Sequence, residues 1–310
     1  MKQTLAITLA ALILAACADN DKQLRHRAAE LCRYIPDHQL LEQSRGYLTD
    51  DFYALLDTMF NLPDQQPLDH EWLYYFVTGN GGTIADYTVT DVERTDKTHA
   101  TATISVRQRW EDGSFDETSD TETHTMLMEK VNGQWLMADF DDHKADCIRH
   151  IATHRQEQAV RDAIADYLVD QIGSQYLQGQ ICVPTIMIVA ADQDSTLAHV
   201  WGDFWVEWYD LEGDTLKCTS GGNHSGLMTI QIQCGKPTVT AFEQTVDGAG
   251  NVASARRIFG PHYDIYHNIH SNPDIRQANR SMQLQNHIRR LGIAARYYQD
   301  YGWPAVEIGM

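Results

Sequence analysis

The feature of this sequence that most constrains its fold is a change in the spacing of its apolar residues, which occurs twice along the chain. Residues 22–60 carry apolar side chains every three or four positions, the spacing of one helix face. From Ile84 the spacing becomes two, as in strands with one buried face. This alternation predicts four strands, at Tyr87–Thr90, Ala100–Trp110, Thr125–Val131 and Trp135–Phe140.

The second half repeats this order of elements. Residues 141–155 return to helical spacing, and a further helix is expected over Gln156–Ile172. Five strands are expected next, at Ile181–Ala191, Ala198–Tyr209, Thr215–Ser220, Leu227–Gln233 and Thr238–Gln244, and helices from Ala253 onwards. We therefore predict an α+β protein with one domain over 24–155 and a second over 156–310, each with helices packed on a curved antiparallel sheet.

The N-terminus has the pattern of an export signal. Lys2 precedes an apolar stretch from Leu5 to Ala16, which is shorter than the roughly 20 residues that a membrane-spanning helix needs. It ends in Leu14-Ala15-Ala16-Cys17, which resembles the lipobox of bacterial lipoproteins. We expect residues 1–16 to be a signal peptide, Cys17 to carry the lipid, and 17–23 to be a linker. The alternative is an ordinary signal peptide with a chance cysteine.

Charge and sorting signals narrow the partners. Ala18, rather than Asp, follows Cys17, so the lipoprotein resemblance implies delivery to the outer membrane, on either its periplasmic or its outer side. A net charge of −19 opposes binding to phosphate backbones and anionic lipid. We therefore expect membrane contact through the lipid anchor, no nucleic acid, and a small molecule or an envelope protein as partner.

The remaining cysteines give no redox motif. Cys32, Cys147, Cys182, Cys218 and Cys234 are odd in number, and the sequence contains no CxxC pair, which argues against a thiol oxidoreductase and a zinc ribbon. We expect Cys32 and Cys147 to be able to form a disulfide between the first and last helices of the first domain. His143, Cys147, His150 and His154 fall on one helix face, but no base accompanies them, and we expect neither a metal nor a cofactor.

A glycine-rich segment is the most site-like stretch of the sequence. It comprises Gly221, Gly222, Asn223, His224 and Ser225. Glycines let a backbone approach a ligand, and the three polar side chains supply hydrogen bonds and a base. The segment matches neither a nucleophile elbow nor a phosphate-binding loop. The alternative is a plain connection between two strands.

Two carboxylates lie on one face of the strand Ala198–Tyr209. Asp203 and Glu207 flank Trp205, since alternate residues of a strand share a face. Such a pair beside a tryptophan would suit glycan binding or acid–base chemistry, with His224 as the partner base. The alternative is a half-buried strand with a wet face.

The order of helices and strands resembles the cystatin-like or nuclear-transport-factor-2-like fold. The resemblance is carried by the aromatic run Trp72–Phe76, the hairpin Asn132-Gly133-Gln134-Trp135, and Asp139-Phe140-Asp141-Asp142 leading into a helix with Cys147. With Trp201–Val206 and Tyr297–Pro304, these segments are similar to lipoproteins of Bacteroidetes. The resemblance covers most of the chain and implies a fold, but no catalytic residues.

Two functional hypotheses follow. The first is an envelope lipoprotein that binds a ligand or a protein without catalysis, because the chain is acidic and has no catalytic motif. The second is an envelope hydrolase or isomerase working in a cone-shaped cavity, with His224 and either Asp203 or Glu207 as acid and base. The aromatic tail Tyr297–Trp303 either stacks on sugars or pins the C-terminus to the core.

Overall fold

A computed structural model of the chain describes residues 21–32, 41–62, 83–109, 113–114 and 121–309. Contacts between Cα atoms divide the chain into two compact units, Met1–His154 and Arg155–Met310. The protein is α+β, and both of its sheets are antiparallel apart from one short parallel pairing, which confirms the predicted class. Cys17 and Trp72–Phe76 lie outside the described residues.

The helices of the first unit bury one apolar stripe each. Helix α1 covers residues 21–32, a 3₁₀ segment covers Leu41–Tyr47, and helix α2 covers Asp50–Phe60. The buried side chains recur at helical spacing, as Leu24, Ala28 and Leu31 in α1 and as Phe52, Leu56 and Met59 in α2. All of them belong to one core cluster.

A four-stranded meander completes that core. Its strands are β1 (Thr83–Arg94), β2 (His99–Arg109), β3 (Thr121–Val131) and β4 (Gln134–Phe140), each paired with the next. Alternate residues of β2 from Ala100 to Val106 are buried, as the period of two predicted. Asn132 and Gly133 have φ values of 52° and 86°, which suits a two-residue hairpin turn with both residues left-handed.

The junction after β4 is held by aspartates. Asp139 Oδ1 accepts hydrogen bonds from the backbone N–H of Phe140 at 2.7 Å and of Lys144 at 2.9 Å, so it caps the start of helix α3 (His143–Tyr167). Asp141 and Asp142 both have positive φ values, 48° and 60°. The boundary between the units falls within α3, which continues as a π turn over Leu168–Ile172.

The structure describes the two cysteines that we expect to be able to pair as separate thiols. Cys32 and Cys147 are both free thiols buried in the core cluster. Burial raises the pKa of Cys32 to about 12 and, together with the charges of Asp139 and Asp146, that of Cys147 to about 11. Both thiols therefore behave as small apolar side chains of the core.

The sheet of the second unit is organised around its longest strand, β6 (Leu197–Glu212). Strand β5 (Ile181–Gln193) pairs with β6 along one edge. The other edge is shared, because β7 (Thr215–Asn223) pairs with positions 205–212 and β8 (Gly226–Gln233) with positions 197–202. The remaining strands are β9 (Lys236–Gln244), beside β8, and the C-terminal β10 (Tyr297–Gln299) and β11 (Val306–Glu307), beside β7.

Helical segments cover both faces of this sheet. On one face, Val160, Ile164 and Leu168 of α3 and its π turn pack on the even positions of β6, such as Phe204 and Val206. On the other face lie α4 (Asn251–Phe259), α5 (Tyr263–Ser271) and α6 (Pro273–Leu291), which form two separate apolar clusters with the sheet. In the ranges that the structure describes, no helix is long and apolar enough to cross a bilayer.

Candidate functional site

The odd positions of β6 carry a polar band between the two apolar clusters of the α4–α6 face. We use "polar band" for Asp203, Trp205 and Glu207. The two carboxylates are 1% and 4% exposed, and Trp201 and Tyr209 at either side of the band belong to the apolar clusters. Buried carboxylates need paired charges or several donors, so their partners decide what the band can do.

Asp203 is held by three side chains. Its Oδ1 accepts hydrogen bonds from Ser225 Oγ and Asn223 Nδ2, both at 2.5 Å, and both of its oxygens lie 3.3 Å from His270 Nδ1. Burial alone would raise the pKa of Asp203, but these hydrogen bonds, with that of His270 the largest, outweigh it and hold the pKa below its usual value. Asp203 is therefore an ionised, internally satisfied carboxylate.

His270 is the partner that the sequence reasoning missed. It lies near the end of α5, its ring is stacked on Tyr266 at 5.2 Å between centroids, and its side chain is 35% exposed. The hydrogen bond to Asp203 raises its pKa, against the opposing effects of burial and of Arg276. Among the described residues, no hydrogen-bond partner of Nε2 is found, and the buried Tyr266 Oη has none either.

Glu207 is bound by two arginines of α6. Its Oε1 lies 3.1 Å from Arg276 and its Oε2 lies 2.8 Å from Arg280 Nε, while Tyr209 Oη donates to Oε2 at 2.9 Å. The Arg276 guanidinium also stacks 3.5 Å from the centroid of the Trp205 ring. The second carboxylate of the band is therefore neutralised by its own fold.

Arg280 extends this network to the C-terminal strands. Its two terminal nitrogens bind Asp300 in a bidentate pair at 2.8 and 2.7 Å, and its guanidinium lies 4.5 Å from the centroid of the Tyr298 ring. The hydrogen bond and charge of Arg280 lower the pKa of Asp300, although burial opposes this. Arg280 therefore ties α6, β6 and β10 together.

The glycine-rich segment is mostly strand rather than loop. Strand β7 extends to Asn223 and β8 begins at Gly226, so only two residues separate them. Asn223 and Ser225 face the polar band, whereas His224 lies on the opposite face, with Nε2 2.9 Å from Tyr176 Oη and Nδ1 2.8 Å from Gln244 Oε1. The structure does not bring His224 to Asp203 or to Glu207, and His270 takes that place.

Close packing explains the glycines of this segment. A Cβ at Gly221 would meet the backbone of Val206 and Glu207, and one at Gly222 would meet Tyr176 Oη. Each glycine therefore serves a close approach within the unit. Ser225 is buried and donates to Asp203, so it is not placed as an exposed nucleophile.

One described group has the composition of a metal site. Ligand atoms of Glu207, Cys218 and Asp300 lie within 4.8 Å of one another. Arg280 already binds both carboxylates, and burial together with Glu207 raises the pKa of Cys218 to about 11. A metal ion would lie next to this guanidinium, so the group is better suited to the arginine it holds. The face with His143 and His154 has Cys147 buried in the core.

The aromatic tail divides into an inner and an outer part. Tyr298 in β10 is buried, and β10 pairs with β7 and β11. The connection between β10 and β11 carries Tyr301, which is 98% exposed, and Trp303, which is 72% exposed. Tyr298 is therefore placed to hold the C-terminus to the core, and Tyr301 and Trp303 are placed where they could stack on a sugar.

Comparisons with known proteins add little. No protein-family model matches the sequence, and a search of curated proteins found no match. A solved structure described as an Ntf2 like protein involved in plasmid conjugation is similar at 9% identity, covering 54% of this chain and 79% of that chain, with a TM-score of 0.16. A likeness of this size carries no argument about function.

Proposed function

We propose that this protein is an envelope lipoprotein, attached to the outer membrane through a lipid on Cys17, that binds a ligand or a partner protein and does not catalyse a reaction. The support for the address is the sequence Leu14-Ala15-Ala16-Cys17 after a short apolar segment. The argument against catalysis comes from the second unit.

The observation that carries this proposal is the state of the two candidate acids. Asp203 is bonded to Ser225, Asn223 and His270, and Glu207 to Arg276 and Arg280. A general acid or nucleophile must reach the substrate with a group that is free to exchange protons or attack. Because both carboxylates are buried and internally bonded, their arrangement favours a structural role.

We also propose that the units correspond to two folded domains, 24–155 and 156–310, and that the first is cystatin-like or nuclear-transport-factor-2-like. In favour of this, the first unit has helices packed on one face of a four-stranded antiparallel meander, with a core cluster of its own. The second unit likewise has its own clusters on both faces of its sheet.

A second candidate function rests on His270. A buried carboxylate on Nδ1 of a histidine whose side chain is 35% exposed forms the arrangement of a general base, with Asp203 orienting the ring. In this alternative the protein is an envelope hydrolase or isomerase, with His270 in the place first expected for His224. No nucleophile bonded to His270 Nε2 is found among the described residues, so this candidate ranks second.

Two measurements test the proposal. Wild-type protein produced in a bacterial host should take up radiolabelled palmitate and sediment with outer membranes, and Cys17→Ser should lose both properties. Labelling that persists in Cys17→Ser would contradict the address.

The chain from Ala18 to Met310, purified from an oxidising compartment, is then assayed against chromogenic ester, phosphate and glycoside substrates beside His270→Gln. We expect no turnover by either protein. Turnover by wild type that His270→Gln abolishes, without loss of thermal stability, would replace the binding function with the acid–base one. Native mass spectrometry of the same sample reports any retained ligand.

A further inference from the structure

The most exposed apolar group in the described ranges is the tip of the C-terminal hairpin. We use "aromatic tip" for Tyr301-Gly302-Trp303-Pro304, which joins β10 to β11. All four residues are exposed, with Tyr301 at 98% and Trp303 at 72%. Each large aromatic side chain can bury about 150–250 Å² on binding, and neighbouring exposed apolar side chains can mark a binding site.

The aromatic tip has a rigid base. The backbone N–H of Trp303 donates to Asp300 O at 3.1 Å, and Gln299 Nε2 donates to Trp303 O at 2.8 Å. Gly302 takes the left-handed conformation that this turn needs, with φ 78°. The Asp300 carboxylate is clamped by Arg280, which is itself buried. The fold therefore holds two aromatic rings in water on a pre-organised turn, which lowers the entropy cost of binding.

The size of the aromatic tip limits its partner. Two rings offer about 300–500 Å² at most, whereas a stable protein interface needs about 800 Å² from each partner. One or two sugar rings match the available area, and their C–H faces stack on aromatic rings while the Tyr hydroxyl and Trp N–H remain free to bond sugar hydroxyls.

Charge limits the partner further. Residues 301–306 carry no charge, and the whole chain has a net charge of −19. An acidic glycan or an anionic bilayer would be repelled by this field. We propose that the aromatic tip is a stacking platform for a neutral carbohydrate. This inference rests on the proposed binding function and names its ligand class and its site.

Affinity electrophoresis tests the inference directly. The chain from Ala18 to Met310 is run in native gels containing mannan, xyloglucan or laminarin, which are neutral, or polygalacturonate, which is acidic. We expect at least one neutral polysaccharide to retard the protein. Trp303→Ala and Tyr301→Ala should each weaken the retardation about tenfold, because each removes one stacking ring.

Leu177→Ala is the matched control, since Leu177 is an exposed apolar residue outside the aromatic tip. It should be retarded like wild type, and all three variants should keep the wild-type melting temperature. Failure of every neutral gel to retard wild type, or equal retardation of Trp303→Ala, would overturn the inference. So would flotation with phosphatidylcholine vesicles that depends on Trp303 without gel retardation, which would assign the aromatic tip to a bilayer. Palmitate labelling of Cys17 is independent of all these outcomes, so it tests the proposed attachment to the outer membrane separately.

Discussion

Replacement of Arg280 by methionine should destabilise the second unit more than the loss of an exposed ion pair would. Arg280 is 3% exposed and binds Glu207, Tyr209 and Asp300. Methionine has a similar volume but no charge, so Arg280→Met leaves the carboxylates of Glu207 and Asp300 without the charge of Arg280. Removing one partner of a buried ion pair costs about 3–5 kcal/mol.

The structure places this variant at the lower end of that range. Glu207 keeps its contact with Arg276 at 3.1 Å, and the Asp300 side chain is 39% exposed, so water can solvate part of its charge. We therefore expect Arg280→Met to lower the free energy of unfolding by about 3 kcal/mol. For a unit of this length, that corresponds to a fall of about 6–12 °C in the melting temperature.

The assay is urea unfolding followed by tryptophan fluorescence, with Arg257→Met as the control. Arg257 pairs with Glu243 on the surface, where both side chains are largely exposed, and the loss should be about 0–1 kcal/mol. Trypsin should also cut Arg280→Met faster than wild type near the start of β10, because the clamp on Asp300 is gone. The reasoning is refuted if Arg280→Met loses no more stability than Arg257→Met.

Three further variants test particular contacts. Asp203→Asn should lower the pKa of His270, measured by NMR. The ion pair between Asp203 and His270 stabilises the fold fully between the ordinary pKa values of about 3.8 and 6.5. Its contribution to stability is lost as pH falls through the lowered pKa of Asp203, or as pH rises through the raised pKa of His270, so Asp203→Asn should flatten the dependence of stability on pH. An unchanged His270 titration would refute the pairing. Gly226→Ala should destabilise the protein by about 1–3 kcal/mol, because its Cβ would meet the backbone of Glu243, and an unchanged melting temperature would argue against that close approach. Asp139→Ala should lower the free energy of unfolding by about 1–2 kcal/mol, because the cap of α3 is lost. Unfolding followed by circular dichroism measures this loss, and a variant as stable as wild type would contradict the capping role.

The strands could be predicted because their signal is local. In β2, every second residue from Ala100 to Val106 is buried, and Asn132-Gly133 determines the turn after β3. The predicted strand Thr215–Ser220 ends three residues before β7 does, because Gly221 and Gly222 belong to the glycine-rich segment that follows it in the sequence analysis. They lie in a strand because they pair with Val206 and Glu207 of β6, and this pairing depends on the tertiary fold.

The partners of the polar band could be predicted only in part. The period of two correctly places Asp203 and Glu207 on one face. The same rule, applied to Asn223, His224 and Ser225, would have separated His224 from its neighbours. His270 lies 67 residues from Asp203 along the chain, and no local pattern connects the two.

The arginines of α6 did leave a signal in the sequence. Arg276 and Arg280 precede Leu284 and Ile288 at intervals of four, so they continue the apolar stripe that packs on the sheet. Cations in line with a buried stripe of an acidic protein indicate buried carboxylate partners. The contact of Arg280 with Asp300, however, follows from the pairing of β10 with β7, and a strand of three residues is too short to show a period in the sequence.

Arg280 is connected to the aromatic tip through Asp300, which begins the turn that carries it. One support of the aromatic tip is the turn at Asp300, whose carbonyl accepts from Trp303 N–H, and the carboxylate of Asp300 is bound by Arg280. If the buried ion pairs serve to position this turn, then Arg280→Met should weaken glycan retardation even though Arg280 lies inside the protein. Asp203→Asn should leave retardation unchanged, because Asp203 contacts α5 and the β7–β8 junction and not the hairpin. Equal loss in both variants would mean that binding reflects global stability, and a loss in Arg280→Met alone, measured well below its melting temperature, would link the buried network to the exposed rings.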